Sequence, residues 1–334
     1  MKRFGYAIFL LPLFLFGCNL DEFPERSPGG GGGEESVEYK QEMRDFVRNI
    51  SQYAKGADGN FIIIPQNGAE IVSTTGNDTG TADADYVSAI DGIGQESLFY
   101  GYDEDDQPTP AKERLWTRTF LDMAKDSGDI TILVTDYAFS QNNMDDSYEQ
   151  NANLGYISFA ADHRELDNIP TYPLTINNEN AEDIEQLSDA RNFLYLINPR
   201  LSSTRQELVN DISDTNYDVV IIDFFFDGVE YTPAQIEQLK QKRNGGKRLL
   251  IAYMSIGQAE NYRYYWQSHW PSNPPEWLEE EDPDWVGNYY VEYWEQDWQT
   301  LIYGENNAYL DRIIEAGFDG VYLDRIDAFE YFEN

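Results

Sequence analysis

Eight short apolar runs, alternating with amphipathic or loop segments, predict an α/β fold of the (β/α)8 barrel class. Three observations carry that expectation. Most runs are apolar on both faces, as strands buried in a parallel sheet are. Most end in a polar or acidic residue. About 300 residues follow the leader, the size of one such barrel.

The leader comes first. Lys2 and Arg3 precede an apolar run from Tyr6 to Phe16, too short to span a bilayer and shaped like a signal peptide. Cys18, the only cysteine, follows Leu15-Phe16-Gly17 in the arrangement of a bacterial lipobox. Residues 1–17 are then removed and Cys18 carries lipid; an ordinary secretory signal with a spare thiol is the alternative. Residues 18–36, with consecutive glycines from Gly29 to Gly33, read as a flexible tether. That leaves residues 37–334 as a single barrel domain. The expected location is the cell envelope, at the outer membrane or cell surface, touching membrane only through the anchor.

The strands follow in order: Phe61 to Gly68, Ala89 to Glu96, Ile130 to Tyr137, Gly155 to Ala160, Phe193 to Asn198, Tyr217 to Asp223, Arg248 to Gly257 and Phe318 to Asp324. Helices fit between several of them. Val37 to Ala54 carries Met43, Phe46, Val47 and Ile50 at helical spacing. Thr232-Pro233 supplies an N-cap and a first-turn proline for a helix running to Lys242, and Asn307 to Ala316 leads into the last strand. Alternation of this kind favours a closed barrel over an open sheet.

Charge narrows the partners. Asp and Glu number 61 against 23 Lys and Arg, a net −38, which disfavours nucleic acid and anionic membrane surfaces and would attract a polycation. Solubility at a crowded surface explains the same balance. Aromatic residues are dense from Tyr262 to Trp298, as in a sugar-binding cleft, although packing also uses aromatics. His163 and His269 are far apart with no cysteine beside them, which argues against zinc. No GxSxG elbow, P-loop or Rossmann glycine motif is present, so no cofactor is expected. The acidic loops at Asp78 to Asp85 and Asp103 to Asp106 lack EF-hand spacing.

In such a barrel, carboxylates just past a strand's C-terminal end sit where chemistry is done. Asp324, at the end of Val321-Tyr322-Leu323, and Glu96, at the end of the second run, are therefore candidates. Asp223, Tyr253, Glu260, Gln66, Asn67, Asp136, Tyr137 and Asp327 occupy similar positions and could hold polar groups of a ligand. Asp319 precedes its strand and belongs to the opposite face. The bland alternative pairs Asp324 or Glu96 with Arg325 or another cation.

The segments YDVVIIDFFFDG (Tyr217 to Gly228), AYMSIGQAENYRYYW (Ala252 to Trp266), WVGNYYVEYW (Trp285 to Trp294), GFDGVYLDRIDAFEYF (Gly317 to Phe332), FIIIPQNG (Phe61 to Gly68) and IDGIGQESLFYG (Ile90 to Gly101) carry a further signal. In them the chain resembles glycoside hydrolase family 114, the endo-α-1,4-polygalactosaminidases, a group once labelled cysteinyl-tRNA-synthetase-related. The resemblance implies a glycosidase acting on an amino-sugar polysaccharide, with its carboxylate pair at Asp324 and Glu96. Asp324 is expected as nucleophile or water-activating base and Glu96 as general acid.

The order of segments departs from the family. Its members begin with the strand matching NFLYLINPR (Asn192 to Arg200) and end with the segments that stand first here. The chain therefore resembles a circular permutant, cut after the Asp324 strand and rejoined across roughly Asp162 to Arg191. The physical expectation is that the Asp324 strand lies beside Ile62 to Ile64. Family members also read GEAEDYR where this chain has Gly257-Gln258-Ala259-Glu260-Asn261-Tyr262-Arg263. The two amides favour a non-catalytic glycan-binding lipoprotein as the alternative function, while retention of Asp324 and Glu96 speaks against it. A glycosidase of the same fold with a neutral glycan is a third reading.

Overall fold

Runs of Ile, Val and Leu that shun water on both sides are satisfied only between two layers, and all eight expected runs form strands in the computed structural model. It describes residues 38–333 except Arg200, Leu201, Ser203 and Asn306. The leader, Cys18 and the glycine run lie outside the described residues.

Helix α1 (Tyr39–Ala57) buries Met43, Phe46, Val47, Ile50 and Ala54 along one face. The first half of the chain continues with β1 (Ile62–Pro65), α2 (Ala84–Ala89), β2 (Gly92–Glu96), α3 (Ala111–Ser127), β3 (Thr131–Tyr137), α4 (Gln141–Leu154) and β4 (Ile157–Ala161). The second half carries β5 (Phe193–Leu196), α5 (Arg205–Ser213) and β6 (Val219–Asp223), then a short hairpin of β7 (Phe225–Phe226) and β8 (Val229–Glu230). Next come α6 (Pro233–Leu239) and β9 (Leu249–Ser255). A small antiparallel sheet follows, formed by β10 (Gln258–Glu260), β11 (Leu278–Glu281) and β12 (Asn288–Val291). The last elements are α7 (Gln296–Ile302), α8 (Tyr309–Ala316), β13 (Gly320–Asp324) and α9 (Phe329–Glu333).

The expected caps form. Thr232 accepts from the Gln235 amide and the Gln235 side chain reaches back to the Thr232 amide, a capping box with Pro233 in the first turn. Helix α8 stops at Gly317, whose φ of 92° suits glycine. Helices α3 and α4 were not resolved by periodicity, and α4 shows why: its buried positions are Met144, Ser147 and Asn151, a largely polar inner face. Among the described residues the connection from β4 to β5 carries a single 3-10 turn, Leu187–Asp189, where alternation predicts a helix. The β10–β12–β11 sheet was likewise unexpected.

The main sheet runs β1–β13–β9–β6–β5, all parallel, and a second parallel sheet runs β2–β3–β4. Strand β13 therefore lies beside β1, with Ile62 opposite Gly320 and Pro65 opposite Leu323. On its other flank Gly320 faces Ile251 of β9. Strands β1 and β2 are joined by hydrogen bonds from the Asp91 amide to the Ile63 carbonyl and from the Asn67 amide to the Gly94 carbonyl, both 2.9 Å. Between β4 and β5 the rings of Phe159 and Phe193 pack 5.7 Å apart.

One device recurs at the start of three strands. Asp91, Asp218 and Asp319 each stand immediately before β2, β6 and β13. Each accepts a backbone N–H from a neighbouring strand or its approach: Ile63 to Asp91, Arg191 to Asp218 and Leu250 to Asp319, all at 2.8 Å. Each also pairs with a lysine of the surrounding layer. Lys55 lies 3.0 Å from Asp91, Lys242 2.5 Å from Asp218 and Lys240 2.7 Å from Asp319. Asp319 thus sits at the face opposite the strand ends, as its position in the sequence predicts.

Candidate active site

The C-terminal strand ends open into a cavity of about 390 Å3. Tyr195 lines it and packs on a second ring behind it. Tyr195 of β5 and Tyr322 of β13 are buried with ring centroids 5.1 Å apart. Burial above all, with the carboxylates of Glu96 and Asp324 adding to it, pushes both phenols well above the usual tyrosine range. Room for Tyr322 comes from Gly94: a Cβ there would lie 1.9 Å from the Tyr322 hydroxyl.

Glu96, the last residue of β2, is held by neutral donors. Asn67, in the left-handed region at φ 61°, donates from Nδ2 to Glu96 Oε2 at 2.9 Å and accepts from the Glu96 amide at 3.0 Å. The Tyr137 hydroxyl donates to Glu96 Oε1. Burial, then the Asp324 carboxylate, raises the Glu96 pKa, and donation from Tyr137, Asn67 and Gln66 opposes the rise.

Asp324, the last residue of β13, accepts from the Tyr253 hydroxyl at 2.6 Å and from the Arg325 amide at 2.8 Å. Its pKa is raised by burial and by Asp327, against the lowering effect of Arg325 and Tyr253. The Arg325 side chain turns away to Asp282, with Nη2 2.8 Å from Oδ2. Gly257 lets the loops after β9 and β13 meet, because a Cβ there would lie 2.1 Å from the Arg325 carbonyl oxygen.

Of the residues singled out in the sequence, Glu96, Asp324, Gln66, Asn67, Tyr137, Asp223, Tyr253 and Asp327 line this cavity. Asp136 and Glu260 do not, and both expectations need correction. Asp136 is fully buried on the other face of β3, where it accepts from the amides of Phe99 and Tyr100 and from Ser147 and Asn151. Adjacent strand residues point to opposite faces, so Tyr137 and Asp136 cannot both face the mouth. Glu260 is buried against Arg263, with Oε2 2.6 Å from Nε. Arg263 in turn reaches Asp223 Oδ1 at 2.8 Å, so Glu260 acts by holding a cavity-lining cation.

Arg164, Arg263 and Tyr195, which no strand-end pattern in the sequence marks, also line the cavity, as does Trp285 from the aromatic-rich stretch. Arg164 arrives from the connection after β4. Its guanidinium lies 4.1 Å from the Tyr137 ring centroid, and Nε bonds Asp105 at 2.7 Å. The aromatic-rich stretch divides unequally. Trp266, Trp270, Trp277 and Trp298 pack on one another at 4.9 to 5.2 Å, whereas Tyr262 and Trp285 are exposed at the cavity. Packing explains most of that density. The Gln258 side chain is also structural: fully buried, it donates to Asp282 Oδ2 at 2.6 Å.

Residues 177–334 match the profile of glycoside-hydrolase family GH114. That segment belongs to glycoside hydrolase family GH114. It runs through β5 to α9 and supplies Asp223, Tyr253, Asp324 and Asp327, while Gln66, Asn67, Glu96 and Tyr137 come from outside it. An uncharacterized protein of Methanocaldococcus jannaschii is 39% identical over 179 residues, 53% of this chain and 49% of its own length. An uncharacterized protein of Thermotoga maritima is 46% identical over 122 residues, 36% of each chain. One of Deinococcus radiodurans is 41% identical over 136 residues, 40% of this chain and 41% of the relative. The chain thus spans about half, or less, of the curated relatives it matches. No described helix is long and apolar enough to cross a membrane.

Proposed function

We propose that this chain is a glycoside hydrolase cutting within an α-1,4-linked, galactosamine-rich and therefore cationic polysaccharide. Glu96 is the general acid and Asp324 the nucleophile or the base for water. The observation that carries this reading is that both carboxyls reach one cavity and are held by neutral side-chain donors, with no side-chain salt bridge at either among the described residues. Hydrolysis of a glycosidic bond needs a carboxylic acid at the leaving oxygen and a carboxylate at the anomeric carbon. Burial keeps a proton on Glu96 to higher pH than usual, which suits the acid role. Asp223, Asp327, Tyr253, Gln66 and Asn67 are then sugar contacts, and the surplus of carboxylates suits an ammonium group in a site shielded from water.

The same reading takes the eight strands as one closed barrel in circularly permuted order. The pairing of β13 with both β9 and β1 and the bonds joining β1 to β2 support it. It also takes Cys18 as a lipidated anchor and residues 18–36 as the tether holding the enzyme at the cell envelope.

The decisive experiment is reducing-end release from a galactosamine-rich polysaccharide by the chain starting at Glu35, beside Glu96→Gln and Asp324→Asn. Expected is cleavage by the parent and a loss of about a thousandfold or more in both variants, with circular dichroism unchanged. A parent that binds the polymer without cutting it replaces this reading with a glycan-binding lipoprotein. Cleavage only of neutral glycans replaces the substrate.

A further inference from the structure

The carboxylate cavity does not end at Glu96. A second cavity of about 380 Å3 shares Asn67, Glu96, Arg164 and Asp327 with it and extends over the ends of β1 and β2 toward the first turns of α3. Two aromatic residues on its wall are left largely in solvent: Tyr102 is 55% exposed and Trp116 41%. Trp116 is also held in place, its ring edge-on to the buried Phe120 at 5.0 Å. Among the described residues the buried core takes most of the aromatic rings, whereas this indole, like that of Trp285 at the first cavity, is left half-exposed on a concave wall next to the proposed cutting site. The charge of the wall points the same way. Glu70, Glu113 and Glu330 join the shared Glu96 and Asp327, against the guanidiniums of Arg114 and Arg164. Aromatic faces pack on the apolar faces of sugar rings, and a surplus of carboxylates favours a cationic one.

We propose that this second cavity binds the amino-sugar unit next to the bond being cut, with its pyranose ring packed on Trp116 and Tyr102. The inference rests on the glycosidase reading and adds a subsite to it. Its size admits one ring, at the small end of ligand cavities. Arg164 sits where the two cavities join, so the unit at Glu96 and the unit at Trp116 pass on either side of its guanidinium.

The test uses the chain starting at Glu35 and galactosamine oligosaccharides of increasing length. Calorimetric affinity, on an inactive Glu96→Gln background, and kcat/KM are both measured for Trp116→Ala, Trp116→Phe and Tyr102→Ala. The subsite predicts that Trp116→Ala weakens binding and lowers kcat/KM about tenfold, or 1.4 kcal/mol, for long oligosaccharides. The shortest substrates are little affected, and Trp116→Phe retains most of the parent's length preference. Should Trp116→Ala fold poorly, Tyr102→Ala, on a loop, is expected to show the same length dependence in milder form. Parent-like affinity and kcat/KM at every length in both alanine variants overturn the subsite while leaving the glycosidase reading intact. A parent that binds but never cuts still supports the subsite if Trp116→Ala loses that binding. A parent that neither binds nor cuts overturns both.

Discussion

Three strands carry an acid at each end, and the two ends treat it oppositely. Strand β2 runs between Asp91 and Glu96, β6 between Asp218 and Asp223, and β13 between Asp319 and Asp324. At the start of each strand the carboxylate has a lysine and a backbone N–H. At the far end Glu96 and Asp324 have hydroxyl, amide and backbone donors, and only Asp223 takes a guanidinium. A spacing of five is odd, so the two side chains leave the strand on opposite faces, one toward the helical layer and one toward the mouth. The same residue type therefore pairs with a lysine at one end and, at the other, meets neutral donors in Glu96 and Asp324. What differs is the partner.

The sharpest way to break this comparison is to unpair the most buried brace. Lys242 and Asp218 are both fully buried, so Lys242→Met leaves a carboxylate in the interior without its cation. A loss of about 3–5 kcal/mol is expected in chemical denaturation, with the strand-end chemistry unaffected in whatever fraction still folds. A cost under 1 kcal/mol would mean that Asn180 and the Arg191 amide hold Asp218 without the lysine.

At the other end, Gly94→Ala pushes a methyl group into the Tyr322 hydroxyl. About 1–3 kcal/mol of stability should be lost, and activity should fall as well, because Tyr322 packs on Tyr195, which lines the site. Unchanged turnover in the folded variant would separate this packing from function.

Tyr137→Phe tests the neutral-donor end directly. The hydroxyl favours ionised Glu96, so its removal raises the Glu96 pKa further. A general acid works while protonated, so activity is lost as pH rises through that pKa. The alkaline limb of the pH–rate profile must therefore move to higher pH. A limb that stays in place denies Glu96 the acid role.

The smallest effect belongs to Lys55→Met. Lys55 and Asp91 side chains are 28% and 34% exposed, and solvent screens the pair. Below about 1 kcal/mol is expected, against several for Lys242, which would grade the braces by burial alone.

Much of the fold was legible because eight runs of Ile, Val and Leu have little alternative to a buried parallel sheet. Helix α4 was not, since Ser147 and Asn151 occupy its inner face and bond the buried Asp136. Placing Asp136 at the mouth overlooked strand alternation, which Tyr137 beside it already dictated. The paired acids of DGIGQE, DVVIID and DGVYLD were visible as a pattern, but only the Asp319 member was read as belonging to the far face. Arg164 offered no comparable signal. It comes from an irregular connection, and only the folded chain brings it over Tyr137. The Tyr262 to Trp298 aromatics were only partly legible for a different reason: composition cannot separate rings that pack on one another, such as Trp270 and Trp277, from rings that face the cavity, such as Tyr262 and Trp285.

The placement of β13 between β9 and β1 has a consequence for biosynthesis. During translation β1 acquires β2 within about 30 residues, but its other partner emerges roughly 260 residues later; at about 5–20 residues per second the wait is on the order of 10–50 s. Throughout that interval Ile62, Ile63 and Ile64 present an unpaired, apolar strand edge, the kind that recruits other chains. Helix α1 precedes β1 and shields a face but cannot supply the missing ladder. The chain is therefore most exposed to aggregation until Gly320 to Asp324 has paired with β1, and a holding chaperone should raise the yield of folded protein more than any stabilising substitution in the folded domain.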